Sequence, residues 1–339
     1  MKAAQFIAAG APLELTEMER PSAAPGCLVF RVRACGICAS DLHAAETTDM
    51  LERGVVMGHE YSGEVVEVGP GVQGWQKGDR LIAIPGAPCG GCPACKQGRF
   101  TECEDFVIQG FELRMSGAYA EYSSCVAALA MKIPDSLSDT DAATIEPLAV
   151  GLNAWKCGQA APGSNVLILG AGIIGLAVAK WARFFGAATV GVSEMVPARI
   201  ERARKAGADL VINAAECTDP VAEYQRLTGH KPTVIFECIG RPMIEKMIEM
   251  APHSAHLVLV GTGMQAESFT VLSAAMKRLR MTFTLAYEGD DFGFVMQMLA
   301  NGRITVDPLV TGTVALDGLP QMFALLGKPN DHCKVLVTP

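Results

Sequence analysis

The stretch Val166-Leu167-Ile168-Leu169-Gly170-Ala171-Gly172-Ile173-Ile174-Gly175 decides how this chain is read. A continuous apolar run breaks into a GxGxxG and resumes as a helical stretch to Phe185. An unbroken apolar strand is what a parallel sheet covered on both faces requires. The glycine pattern alone is weak, because Gly-rich turns are common. Set between such a strand and a helix, it becomes a dinucleotide fingerprint. Gly170 permits the tight turn, Gly172 lets a pyrophosphate approach the backbone, and Gly175 lets helix and strand pack closely. The N–H groups around Ile173 and Ile174 and the helix dipole favour the anion.

Beyond this loop, Val190-Gly191-Val192 repeats the short strand, and Pro197 to Ala206 reads as a helix with Pro near its first turn. Further apolar runs follow at Leu210-Val211-Ile212, Val234-Ile235-Phe236 and Leu257-Val258-Leu259-Val260. This alternation predicts right-handed βαβ units and a doubly wound parallel sheet. Glu194 ends the second strand, 19 residues beyond Gly175. A carboxylate there can accept from adenosine ribose hydroxyls and would repel a 2′-phosphate, which favours NAD. Arg199 and Arg202 lie close enough to leave NADP open.

The first 150 residues have another style. Leu28 to Ala34 and Tyr61 to Gly69 partly alternate, and turn signals follow at Gly69-Pro70-Gly71 and Lys77-Gly78-Asp79. Short strands with frequent turns predict a partly open barrel or sandwich. The last 50 residues lose the strand–helix alternation and are expected to return to this first domain. A length of 339 residues suits two domains. Half the residues are apolar and 19% are charged, far from the disordered regime. The net charge of −8 argues against nucleic acid or an anionic membrane as partner. The longest apolar stretch, Val166 to Ala179, is too short to span a bilayer, and no secretory signal follows Met1-Lys2. The expectation is a cytoplasmic protein.

Twelve cysteines without an export signal point to metal before disulfide. Cys89, Cys92, Cys95 and Cys103 place four thiolates within 15 residues, with Gly90, Gly91 and Pro93 supplying the turns. Four thiolates saturate zinc and leave no open position, so this site is structural. A second group comprises Cys35-Gly36-Ile37-Cys38-Ala39-Ser40-Asp41-Leu42-His43, Gly58-His59-Glu60 and Glu146-Pro147-Leu148-Ala149-Val150-Gly151. A thiolate, an imidazole and a carboxylate make three ligands and keep a fourth position open, as catalytic zinc requires. Cys35 and the scattered cysteines read as packing.

These motifs, in this order, resemble the zinc-dependent alcohol dehydrogenases of the medium-chain dehydrogenase/reductase superfamily. The resemblance covers nearly the whole chain. It implies a GroES-like partly open β-barrel catalytic domain over 1–148 and 287–339, with the structural zinc lobe near 86–104. It implies a Rossmann NAD-binding domain over 149–286, with the active site in the cleft. Carried over residue by residue, the catalytic zinc falls to Cys38, His59 and position 146. Many relatives have Cys at that last place, whereas Glu146 resembles the polyol, sorbitol and 2,3-butanediol dehydrogenase branch, where Glu60 can also approach the metal. Two zinc ions per chain are thus implied. Ser40 matches the residue that takes the substrate proton, and His43 matches the relay beyond a cofactor ribose hydroxyl. Asp41 matches the acid that orients His59. Val260 is assigned to the cofactor site, and Val150 and Leu285-Ala286-Tyr287 to the nicotinamide face.

The implied activity is oxidation of a secondary alcohol or polyol, and the reverse reduction of a ketone, with hydride passing to or from the nicotinamide. Relatives are homodimers or homotetramers. Three other readings compete: a zinc-free quinone reductase, a glutathione-linked formaldehyde dehydrogenase and a non-catalytic nucleotide sensor.

Overall fold

The computed structural model describes residues 1–263 and 265–339. The chain forms two compact units: Met1–Glu146 with Glu288–Val306 and Val310–Pro339, and Pro147–Tyr287 with Asp307–Leu309.

The first unit is organised by the strand Cys27–Gly36. Leu28, Phe30, Val32 and Ala34 are buried while Arg31 and Arg33 face out, the alternation of a sheet with one wet face. Ten residues are more than one neighbour can cover. One side pairs throughout with Glu60–Val68, in a register broken twice. The other side pairs first with Tyr122–Val126 and then, at its far end, with Lys334–Thr338. Such irregularities increase twist and let a sheet curl towards a barrel. The order is Val310–Ala315, Lys334–Thr338, Cys27–Gly36, Glu60–Val68, Arg80–Ala83, Ala130–Lys132. Phe30 stacks on Tyr61 inside, with ring centroids 4.8 Å apart. The register sets Gly36 opposite both Glu60 and Leu336, so three remote segments meet at one strand end.

Among the described residues of the second unit, six strands run parallel, in the order Leu210–Asn213, Thr189–Glu194, Asn165–Leu169, Val234–Glu237, His256–Leu259, Arg280–Phe283. The chain starts in the centre, winds outward, then crosses back to the other side. The switch point lies between Asn165–Leu169 and Val234–Glu237. Val166 to Leu169 are buried, consistent with helices on both faces. The helix Ile173–Phe184 packs through Leu176, Val178 and Trp181. A Cβ at position 175 would lie 2.0 Å from the carbonyl oxygen of Gly170, so only glycine allows this close approach. Arg280–Phe283 is a strand that the apolar-run reading does not include. It sits at the sheet edge with both ends exposed, so it never needed a continuous apolar run. Among the described residues, no helix is long and apolar enough to cross a membrane.

Candidate metal centres and nucleotide loop

Cys38 precedes the helix Ala39–Glu46, and its N–H donates to Asp41 Oδ2 at 3.3 Å. Asp41 is fully buried, an expensive place for a carboxylate unless its oxygens are engaged. Tyr119 OH donates to Oδ2 at 2.6 Å, and His59 Nδ1 lies 3.2 Å from Oδ1. Burial raises the Asp41 pKa, but His59, Tyr119 and the Cys38 N–H outweigh it and hold the carboxyl below its ordinary value. Burial likewise opposes a charged His59, yet Asp41 and Cys38 hold its pKa well above the usual imidazole range. With Nδ1 turned towards Asp41 Oδ1, Nε2 is the nitrogen left for a ligand.

Glu60 follows His59 and is also fully buried. Lys334 Nζ donates to its two oxygens at 2.7 and 2.6 Å, and to the Ile37 carbonyl at 2.9 Å. A Cβ on residue 36 would lie 1.9 Å from Glu60 Oε2, so Gly36 makes the room for this carboxylate. The ligand atoms of Cys38, His59 and Glu60 all lie within 4.8 Å of one another. A thiolate, an imidazole nitrogen and a carboxylate oxygen at that separation fit a zinc ion with an open position. Glu146, in the first turn of the helix Ile145–Gly158, is not part of that convergent trio. Its carboxyl faces the same charges, and burial followed by Glu60 pushes its pKa up to about 7. Ser40 Oγ donates to Cys38 Sγ at 3.1 Å, and His43 lies exposed on the same helix. Cys35 is buried in the apolar core.

The other four cysteines gather around the short helix Pro93–Lys96. Cys89 and Cys95 sulfurs are 3.9 Å apart, close to the roughly 3.8 Å edge of a zinc–sulfur tetrahedron with bonds of about 2.3 Å. Backbone N–H groups surround them: Cys95 N donates to Cys92 Sγ at 3.4 Å and Cys89 N to Cys103 Sγ at 3.3 Å. The N–H groups of Gly91 and Cys92 lower the Cys89 thiol to about 7. All twelve cysteines are free thiols. This donor set also fits zinc, with every position taken.

At the carboxyl end of the parallel sheet, Glu194 is buried. Its Oε2 accepts from Ala171 N at 3.0 Å, and its Oε1 from Met195 N and Val196 N at 2.7 and 3.0 Å. The carboxylate thus braces the glycine loop, while a carboxylate has roughly four acceptor positions and can still take a ribose hydroxyl. Arg199 is half-buried on the helix Pro197–Lys205. Val260 is buried just past His256–Leu259, its N–H bonded to the Glu237 carbonyl at 2.9 Å.

Three residues escaped the motif reading. Lys334 shows only as a lone cation opening an apolar strand, Lys334-Val335-Leu336-Val337. Tyr119 carries no local signal. Glu237, an acid ending an apolar strand as Glu194 does, could have been found; its Oε1 accepts from Ile239 N and Gly240 N at 2.6 and 2.8 Å.

This pair of donor clusters, on a curled barrel joined to a glycine-loop parallel sheet, defines a zinc-binding dehydrogenase. Residues 24–135 match the alcohol dehydrogenase GroES-like domain, and residues 174–301 match the zinc-binding dehydrogenase family. Sorbitol dehydrogenase of Bacillus subtilis (strain 168) is 32% identical over 328 residues, covering 92% of this chain and 90% of its own. The crystal structure of 2R,3R-butanediol dehydrogenase from Bacillus subtilis superposes with a TM-score of 0.89 at 30% identity, covering 100% of this chain and 99% of its own. A zinc-binding dehydrogenase of Sinorhizobium meliloti 1021 bound to NADP reaches 0.90 at 27% identity, with 100% and 99% covered. An alcohol dehydrogenase of Escherichia coli CFT073 complexed with NADH reaches 0.90 at 28%, with the same coverage. The chain belongs to the zinc-dependent alcohol dehydrogenases of the medium-chain dehydrogenase/reductase superfamily.

Proposed function

We propose that this protein oxidises a secondary alcohol or polyol, and reduces the corresponding ketone, with NAD as the hydride carrier. The observation that carries this is the convergence of Cys38, His59 and Glu60, with Glu146 facing the same charges. Zinc there supplies a Lewis acid that lowers the pKa of an alcohol, and NAD supplies the hydride acceptor. Cys38, His59 and Glu60 are the direct ligands in this reading, and Glu146 is the second carboxylate of the site. Asp41 fixes the His59 tautomer. Ser40 accepts the alcohol proton, and His43, exposed on the same helix, delivers it to water. Cys89, Cys92, Cys95 and Cys103 hold the structural ion.

Gly170, Gly172, Ile173, Ile174 and Gly175 receive the pyrophosphate, Glu194 the adenosine ribose, and Val260 lines the nicotinamide side. A carboxylate at position 194 repels a 2′-phosphate, so NAD is favoured over NADP. Polyols and vicinal diols are supported by the sorbitol and butanediol dehydrogenases among the relatives. A zinc-free quinone reductase would have no use for the three convergent donors, and the glutathione-linked formaldehyde dehydrogenase reading is not favoured by these relatives.

The protein works in the cytoplasm as a homodimer or a homotetramer. Supporting self-association, Arg280–Phe283 is an edge strand of the sheet among the described residues, and Phe283, Leu285, Val271, Leu272 and Met276 nearby in sequence are 68–77% exposed. The test of the catalytic reading is a panel of polyols, vicinal diols and simple secondary alcohols with NAD, followed by absorbance of the reduced cofactor. Turnover of diols or polyols is expected. A zinc-loaded protein that reduces no NAD with any of them overturns the proposal.

A further inference from the structure

Asn153 lies in the helix Ile145–Gly158 and is 8% exposed. Its amide nitrogen faces three acceptors on consecutive residues: Thr284 Oγ1 at 3.2 Å, Leu285 O at 3.4 Å and Ala286 O at 3.1 Å. Its Oδ1 accepts from Cys157 Sγ at 3.7 Å. Two amide protons shared among three oxygens grip a stretch of main chain. That stretch is not regular structure. It follows the edge strand Arg280–Phe283, and Ala286 has a φ of 55°, the left-handed region that a Cβ disfavours. A non-glycine residue stays there only where its surroundings over-determine it, and such residues cluster at ligand contacts.

The segment's position says which ligand. Thr284 N donates to Leu259 O at 3.0 Å, so 284–286 emerges beside Val260, at the carboxyl ends of the parallel strands. Ligands of an open α/β sheet bind along that edge, across the switch point. On one side of the switch point, Glu194 and the glycine loop suit the adenosine and pyrophosphate. The strands Val234–Glu237, His256–Leu259 and Arg280–Phe283 on the other side are left for the second nucleotide half.

We propose that Asn153 is a positioning residue for the nicotinamide half of the cofactor site, holding the Leu285–Ala286 backbone in the shape that receives the nicotinamide carboxamide. Each clamped carbonyl keeps a second lone pair for that contact. The inference rests on the dinucleotide reading above, and its test separates the two.

NADH and ADP-ribose, which lacks only the nicotinamide, are titrated into wild-type, N153A and N153S protein. In both variants NADH should bind about tenfold more weakly, the size of one lost hydrogen bond, while ADP-ribose binding stays within about twofold. Amide hydrogen exchange at 285–287 should speed up while 170–175 is unchanged, a readout that a general loss of stability would not give. N153S, which keeps a small polar group, carries the test if the alanine variant does not fold. Equal weakening of both ligands, or unchanged NADH binding, overturns the role of Asn153. Failure of wild-type protein to bind ADP-ribose overturns the nucleotide reading itself, and this inference with it.

Discussion

Lys334 Nζ lies 2.7 and 2.6 Å from the two carboxylate oxygens of Glu60, and both side chains are almost wholly buried. One cation thus spans both oxygens of a candidate metal ligand. Burial disfavours the charged lysine, but Glu60 more than offsets it and raises the Lys334 pKa. A buried pair of this kind contributes little net stability, whereas losing one partner strands the other. Lys334→Met should therefore destabilise the metal-free protein by about 3–5 kcal/mol in denaturant unfolding. The double variant Lys334→Met/Glu60→Gln should recover much of that loss. Equal losses in the single and double variants would show that the charge pairing is not what matters.

Removing a thiolate from the lobe should have a local effect. Cys103→Ser should lower zinc from two ions per chain to one, by elemental analysis, because three thiolates no longer close the tetrahedron. The convergent trio should keep its ion. Retention of both ions would show that Cys103 is not a ligand.

Glu194→Ser should shift the ratio of kcat/KM for NAD over that for NADP towards NADP. It removes a charge that repels the 2′-phosphate. Because Glu194 also braces Ala171, a weaker affinity for both cofactors should accompany the shift. An unchanged ratio would remove this carboxylate from cofactor selection.

The raised pKa of Glu146 sets a pH dependence in chelator-treated protein. Folding lifts this carboxyl from its ordinary 4.5 to about 7, so the folded state holds the proton more tightly. Its contribution to stability is complete below about pH 4.5, falls as pH rises to about 7, and then levels. Glu146→Gln should flatten that window relative to wild type in parallel unfolding titrations. Identical slopes in the two proteins would contradict the assignment.

The exposed edge of the parallel sheet makes a further prediction. Phe283 is 70% exposed on an edge strand, and placing charge there should block strand pairing between two copies. Phe283→Arg should reduce the mass seen by light scattering from a dimer or tetramer to a smaller species. An unchanged mass would place the interface elsewhere.

How far the residues alone could be read depended on the range of the physics involved. The glycine loop was legible because its job is finished within a few residues: a strand ends, the backbone turns, and a helix presents its N–H groups. Cys89, Cys92, Cys95 and Cys103 were legible for the same reason, since one short loop can wrap one ion. The strand Arg280–Phe283 was not, because an edge strand needs only partial burial and so leaves no apolar run.

From the sequence by itself came the doubly wound half, the four-thiolate lobe and the list of residues able to hold a second metal. Tertiary structure alone decided which of them converge. Glu60 and Lys334 are 274 positions apart, and they meet because Gly36 pairs with Glu60 on one side and with Leu336 on the other. Hydrophobic periodicity reports which face of a strand is buried, but the partner and the register are settled only when distant strands close their hydrogen-bond ladders. For that reason Glu60 stands with Cys38 and His59 in the folded chain.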